Sequence, residues 1–360
     1  MVYPPLSGIR ILSLAEQYPG PYATMLLADM GAEVIMIERP NGGDPSRRFT
    51  GLFASFNRNK KSVMLDLKSE AGREQFLKLV DTADVVIEGF RPGVMDRLKI
   101  GAETLRARKP SLIFASISSF GQTGPLAQIA GHDLSIQGAV GLLRSTPSQE
   151  RRGDVPMLPL ADISSAMFAA LGIVTSLYAR TQTQKGQVLD VSMMDSLVSW
   201  MTPFLVPPIN NLPTRELPPS DPGYGIFSTR DGKQITLSIA GEDKMWRELC
   251  HLLNLPEWAA LNENDRSSRV QDIDPQLRAA IGEWDYAAIY KALEQKGIAF
   301  GPLIAIEDVM SNPQIKARGM TQTFGAQSFV AQPVLFNGEK FAIQHGVPEL
   351  GEQTKDVLGE

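Results

Sequence analysis

Over the first two hundred residues, short β-rich runs alternate with longer helical ones, and few folds accommodate that alternation. Residues 9–14, 33–38, 62–67, 84–88, 112–116 and 187–193 read as strands. Residues 22–31, 69–83, 94–108, 162–180 and 194–205 read as helices, with Ser69 and Glu70 giving the second a good N-terminus. Strands separated by helices must cross over in parallel, so the expected fold class is α/β, a doubly wound, Rossmann-like sheet. The pattern breaks in a proline-rich stretch, residues 203–225, which reads as a linker. Beyond it, residues 226–230 and 234–239 flank Asp231-Gly232, a hairpin turn signal, and helical segments follow at 244–253 and 285–296. A large domain over 1–202 is therefore expected to precede a smaller α+β domain over 226–327.

Composition narrows the function classes. A chain of 360 residues with 43% hydrophobic content can bury two cores. A net charge of −5 with 21% charged residues gives no basic stripe for nucleic acid. No apolar run is expected to span a bilayer, and no charged segment precedes the first apolar run as a signal peptide requires. The expected setting is cytoplasmic, with no membrane and no nucleic-acid partner. A single cysteine, Cys250, excludes an intrachain disulfide and fits a reducing compartment. Cys250 itself reads as a small buried hydrophobe. With His132, His251 and His345 as the three histidines, no zinc site is expected, and no other metal.

The first βα loop, Glu16-Gln17-Tyr18-Pro19-Gly20-Pro21, lacks the glycines that let a pyrophosphate approach a helix N-terminus. It reads as a stiff turn, which argues against dinucleotide redox chemistry. Asn57-Arg58-Asn59-Lys60-Lys61 places three cations beside amides, suited to phosphate or simply to solvent. Arg91 follows a strand at the sheet edge where α/β folds bind ligands, and Arg97 lies six residues on. Gly131-His132-Asp133 brings an imidazole, with Asp133 available to orient it. Asp162 stands at the mouth of an apolar helix, either as an N-cap or as a carboxylate tuned for chemistry by opposing burial and helix-dipole effects. Glu242 precedes an amphipathic helix, as a cap or as a further carboxylate for the His132 site. No GxSxG, phosphate-binding loop or HExxH motif occurs.

Together these segments resemble the family III CoA-transferases, which also include the 2-methylacyl-CoA racemases. The resemblance rests on Leu6-Ser7-Gly8-Ile9-Arg10-Ile11-Leu12, Pro19-Gly20-Pro21-Tyr22-Ala23 and Ala28-Asp29-Met30-Gly31-Ala32-Glu33. It continues through Phe90-Arg91-Pro92-Gly93, Ser119-Phe120-Gly121-Gln122-Thr123-Gly124-Pro125, Gly131-His132-Asp133, Lys185-Gly186-Gln187 and Ala317-Arg318-Gly319-Met320, to Pro348-Glu349-Leu350-Gly351. It implies an interlocked homodimer whose C-terminal segment, residues 328–360, returns to the large domain. The active site then lies between the large domain of one subunit and the small domain of its partner. The implied ligand is an acyl-CoA thioester, with Arg58, Lys61, Arg91 and Arg97 on the CoA phosphates and adenosine, and no further cofactor.

Two reactions are compatible with this pattern. In the racemase branch, His132 and Asp162 form a two-base pair, supported by Asp133 and Glu242, that inverts the α-carbon through an enolate. Backbone N–H groups near Asp162 would hold the oxyanion. In the transferase branch, Asp162 is a nucleophile forming a mixed anhydride, and CoA passes to another carboxylate. The chain length, the His–Asp spacing and Glu242 point to the racemase, which is the main expectation. Ser135-Ile136-Gln137-Gly138-Ala139-Val140-Gly141 and Ile163-Ser164-Ser165 point to the transferase.

Overall fold

The structure, a computed structural model, describes residues 3–143, 157–213 and 221–359. It divides into two compact units, Met1–Pro203 with Lys316–Glu360, and Phe204–Ile315. In the first unit the order is β1 (Arg10–Ser13), α1 (Pro19–Asp29), β2 (Glu33–Glu38), α2 (Thr50–Phe56), β3 (Lys60–Met64), α3 (Glu70–Thr82), β4 (Val85–Glu88), α4 (Val94–Arg97) and α5 (Ala102–Arg108). Then come β5 (Ile113–Ser118), α6 (Asp133–Ala139), α7 (Leu160–Thr183), β6 (Val188–Ser192) and α8 (Met193–Trp200).

The six strands form one parallel sheet in the order β3-β2-β1-β4-β5-β6. Its period-2 pleat sends Ile11, Val34, Val85, Ile87 and Ile113 to one face, against Leu27 of α1 and Ile173 of α7. Leu12, Ile35, Val63, Val86 and Phe114 go to the other face, against Phe76 and Leu79 of α3 and Leu105 of α5. Burial on both faces is why these strands are apolar throughout rather than alternating. The helix expected over 94–108 is two helices, parted where Lys99 takes φ 62°. The α1–β2 turn needs Gly31, whose φ is 99° and where an added Cβ would sit 2.5 Å from that of Pro4.

The expected α/β architecture is present, with shifted boundaries. The return to the first unit begins at Lys316 rather than at residue 328. It carries the hairpin β10 (Thr321–Phe324) and β11 (Gln327–Val330) and ends in a short helix, Thr354–Leu358. Its last segment covers the edge strand β3: the Ser62 N–H donates to Gln353 Oε1 at 2.8 Å and the Met64 N–H to Thr354 Oγ1 at 3.0 Å.

Part of the expected linker is instead helix, α9 (Thr202–Ile209), with Pro203 in the first turn, where no N–H partner is needed, and Pro207 and Pro208 inside it near its end. Residues 214–220 of that linker lie outside the described residues.

In the second unit, β7 (Tyr224–Ser228), β8 (Gln234–Ser238) and β9 (Phe300–Pro302) form an antiparallel sheet. It packs with α10 (Asp243–Leu252), α11 (Glu263–Ser267), α12 (Val270–Gly282) and α13 (Tyr286–Lys296) around Phe227, Trp246, Leu249, Leu277 and Ile289. Arg266, fully buried, joins Asp221 at 2.8 Å and also pairs with Asp243.

One expectation needs correction. Helix α7 is long and apolar enough to cross a membrane by length and composition. Half of its most apolar window is buried inside the protein, where it packs on α1, α8, β5 and β6, so it is a core helix.

Candidate active site

The strand order reverses between β1 and β4, and the loops beyond the carboxyl ends of neighbouring strands part there. A cleft of about 340 Å³ lies at that point. Its lining comes from the β1–α1 loop (Glu16, Gln17, Tyr18), Gly20 in the first turn of α1, Gly89 and Arg91 after β4, and Ser118 and Ser119 at the end of β5. The segment before α6 adds Gly131 and His132, and the first turn of α7 adds Asp162. The first turn of α1 lies close against Ala15 because residue 20 is glycine; a Cβ there would collide with that of Ala15.

Asp162 is the third residue of α7, not its cap. The residue in the cap position, Pro159, makes no side-chain cap. That role falls to Asp133, whose Oδ1 accepts from the Ala161 N–H at 2.7 Å and the Asp162 N–H at 3.4 Å, and whose Oδ2 accepts from Gln137 Nε2 at 2.5 Å. Two expectations therefore change. Asp133 supports α7 rather than the His132 imidazole, and the N–H groups beside Asp162 are already engaged rather than free for an oxyanion.

This arrangement determines the acidity of Asp162. Burial disfavours its charged form, the nearby Asp133 carboxylate disfavours it further, and the pKa rises from 3.8 to about 7. Tyr18 titrates above its usual range because it is buried and then because Asp162, Tyr22 and Asp133 surround it, so its phenol stays a hydrogen-bond donor. Asp133→Ala is expected to cost about 1–2 kcal/mol through the lost cap. It should also lower the Asp162 pKa, since a raising charge is gone and the helix N-terminus is left uncompensated. Urea unfolding and the acid limb of the pH–activity profile check both, and an unmoved limb would refute the coupling.

His132 also lines the cleft, exposed, at the start of α6. Of the expected CoA-binding cations, only Arg91 is in the lining; Arg97 is exposed on α4. Arg58 is otherwise engaged: buried, it pairs with Asp29, Nη2–Oδ2 at 2.5 Å and Nε–Oδ1 at 3.1 Å. Lys61 pairs with Glu33 at 2.6 Å. Lys60 is buried, its Nζ donating to the Pro21 carbonyl at 2.9 Å and Asn57 Oδ1 at 2.8 Å. All three cations of the basic stretch are thus engaged within the first unit, and Lys60 and Lys61 also line a second cavity of about 450 Å³. Glu242 lies in the second unit just before α10, where its Oε2 accepts from the Ala240 N–H at 2.7 Å.

Glu16, Tyr18 and Ser118 line the cleft without a signal in the sequence. The first two stood inside a loop that reads as a turn, and no local pattern shows that it borders a cleft.

A family profile described as CoA-transferase family III matches residues 6–354. The acetyl-CoA:oxalate CoA-transferase of Acetobacter aceti is 32% identical, over 97% of this chain and 94% of that protein. A succinate–glutarate CoA-transferase of Agrobacterium fabrum is 30% identical, over 99% and 96%. Among solved structures, a CaiB/BaiF family protein from Brucella suis superposes with a TM-score of 0.86 at 29% identity, covering 99% of this chain and 98% of that one. Rv3272 from Mycobacterium tuberculosis gives 0.89 at 29%, covering 98% of each. The chain belongs to family III of the CoA-transferases.

Proposed function

We propose that this protein moves CoA between carboxylic acids through a covalent intermediate on Asp162. The observation that carries the reading is a poorly solvated carboxylate with a raised pKa, exposed to a cleft at the sheet's switch point. The names of the relatives, which act on oxalate, succinate and glutarate, support transfer over the racemisation expected from sequence. The racemase reading retains one supporting observation, that His132 and Asp162 line the same cleft.

The steps follow from acyl chemistry. Asp162 attacks the thioester carbonyl, the C–S bond breaks, and CoA leaves as thiolate from a mixed anhydride. The thiolate attacks the Asp162 carbonyl, releasing the donor acid and leaving an aspartyl-CoA thioester. The acceptor carboxylate attacks that thioester, forming a second anhydride and freeing the thiolate. Attack of the thiolate on the new acyl carbon yields product acyl-CoA and the Asp162 carboxylate. No proton is consumed, and no cofactor beyond CoA is required. Tyr18 supplies a donor for the tetrahedral oxyanions, and Arg91 and Arg97 offer cations for the CoA phosphates.

A homodimer is part of this proposal. On α7, Met167, Leu171, Val174 and Tyr178 recur at helical spacing and are 48%, 57%, 36% and 72% exposed, an apolar stripe suited to a second subunit.

Incubation with acetyl-CoA, hydroxylamine quench and peptide mass spectrometry should find a hydroxamate at Asp162. Exchange of the α-proton of a 2-methylacyl-CoA in D₂O, without any adduct, would favour racemisation instead.

A further inference from the structure

Three carboxyl groups, Glu16, Glu38 and Asp44, cluster beside the cleft, and the protein satisfies two of them internally. Glu38 accepts from Arg47 through both oxygens, at 2.8 and 2.6 Å, and from Ser62 Oγ at 2.6 Å. Asp44 accepts from the Gln17 N–H at 3.0 Å, and from the Ser46 N–H and Oγ at 2.7 Å. The Glu16 side chain takes part in none of these bonds, and it is the one of the three that lines the cleft. Arg39 lies near enough to favour its charge, but the guanidinium Nε is engaged with the Gly43 carbonyl at 2.9 Å. A half-buried carboxylate without such partners is costly, and a ligand donor group would relieve it.

We propose that Glu16 sets acyl-group selectivity, accepting a hydrogen bond from a donor such as a hydroxyl on the acyl chain and disfavouring a second carboxylate there. The inference rests on the transferase reading and names the substrate class for that cleft. The charged groups facing Glu16 are Arg39, Glu38 and Asp44; Arg91, His132 and Asp162 share the cleft. Burial first, opposed by Arg39 and reinforced by Asp44 and Glu38, raises the Glu16 pKa to about 7. Its exclusion of carboxylates should therefore weaken as pH falls below 7, where Glu16 becomes a neutral donor.

The test compares 5-hydroxypentanoate, pentanoate and glutarate as acceptors with acetyl-CoA, for the wild type, Glu16→Gln and Glu16→Asp, at pH 6 and 8. At pH 8 the wild type should prefer 5-hydroxypentanoate to glutarate by at least about tenfold in kcat/KM. Glu16→Gln should reduce that preference about tenfold and abolish its pH dependence, and Glu16→Asp should keep both in part. Equal use of the three acids by the wild type, or a preference that Glu16→Gln leaves unchanged, would overturn the proposal while leaving the transferase reading intact. No transfer to any acid, together with no hydroxamate at Asp162, would overturn both.

Discussion

Asp162→Asn is expected to lower kcat for CoA transfer by at least about 10³-fold while raising thermal stability at pH 8. The kinetic loss follows because an amide cannot displace thiolate, so the covalent route closes, and removing a nucleophile costs orders of magnitude. The stability gain follows from linkage. The folded pKa, about 7, lies above the ordinary 3.8, so the folded state binds the proton more tightly. The favourable contribution is fully present below about pH 4 and is lost as pH rises through 7. At about 1.4 kcal/mol per unit, the ionised carboxylate costs up to ~4 kcal/mol at pH 8. Asparagine, neutral and nearly the same shape, removes that cost. Thermal unfolding of both forms should thus show a gap at pH 8 that shrinks by pH 5.5. The same ionisation governs rate: the attacking form is the carboxylate, so wild-type kcat/KM should fall about tenfold per unit below pH 7. A variant retaining a tenth of the activity, or gaining no stability at pH 8, would contradict a desolvated nucleophile.

What was legible in the sequence was whatever local pattern encodes. The six strands of the parallel sheet fall within a few residues of the β-rich runs, because burial on both faces forces continuous apolar stretches. Asp162 was legible because a carboxylate at the mouth of an apolar helix is conspicuous. What lay hidden was pairing at a distance. Asp133 caps α7 from the start of α6, a bond that spacing in the chain cannot indicate. Residues 94–108 hold one helical periodicity, yet Lys99 enters the left-handed region and splits it. The proline-rich stretch hid α9, since Pro207 and Pro208 stand inside it, where proline ordinarily argues against a helix. Chain length and the His–Asp spacing point to a racemase, but neither reports how Asp162 is solvated, and the relatives are CoA-transferases.

Arg58, expected on CoA, is buried against Asp29, and that pair carries the second large effect. Asp29 is the last residue of α1, where the helix dipole disfavours a negative charge, and its side chain is 6% exposed. It is tolerable there because Arg58, 2% exposed, pairs with it through two hydrogen bonds and Asn59 Nδ2 adds a third at 2.9 Å. The guanidinium also lies 5.7 Å from the Phe329 ring centroid, which links the pair to the C-terminal return. Arg58→Met removes one partner and leaves a buried, uncompensated carboxylate, a change expected to cost about 3–5 kcal/mol. Arg58→Met with Asp29→Leu removes both charges and should recover most of that loss, since the hydrophobic pair needs no compensation. Chemical denaturation of the two variants measures the difference. CoA binding by calorimetry separates structure from recognition. The double variant should bind CoA within about threefold of the wild type, because Arg58 is 2% exposed and turns its Nε and Nη2 to Asp29, whereas Arg91→Met, which removes a cation lining the cleft, should weaken binding at least about tenfold. Loss of CoA affinity in a well-folded double variant would restore Arg58 to the binding site and require the Asp29 pair to open when CoA arrives.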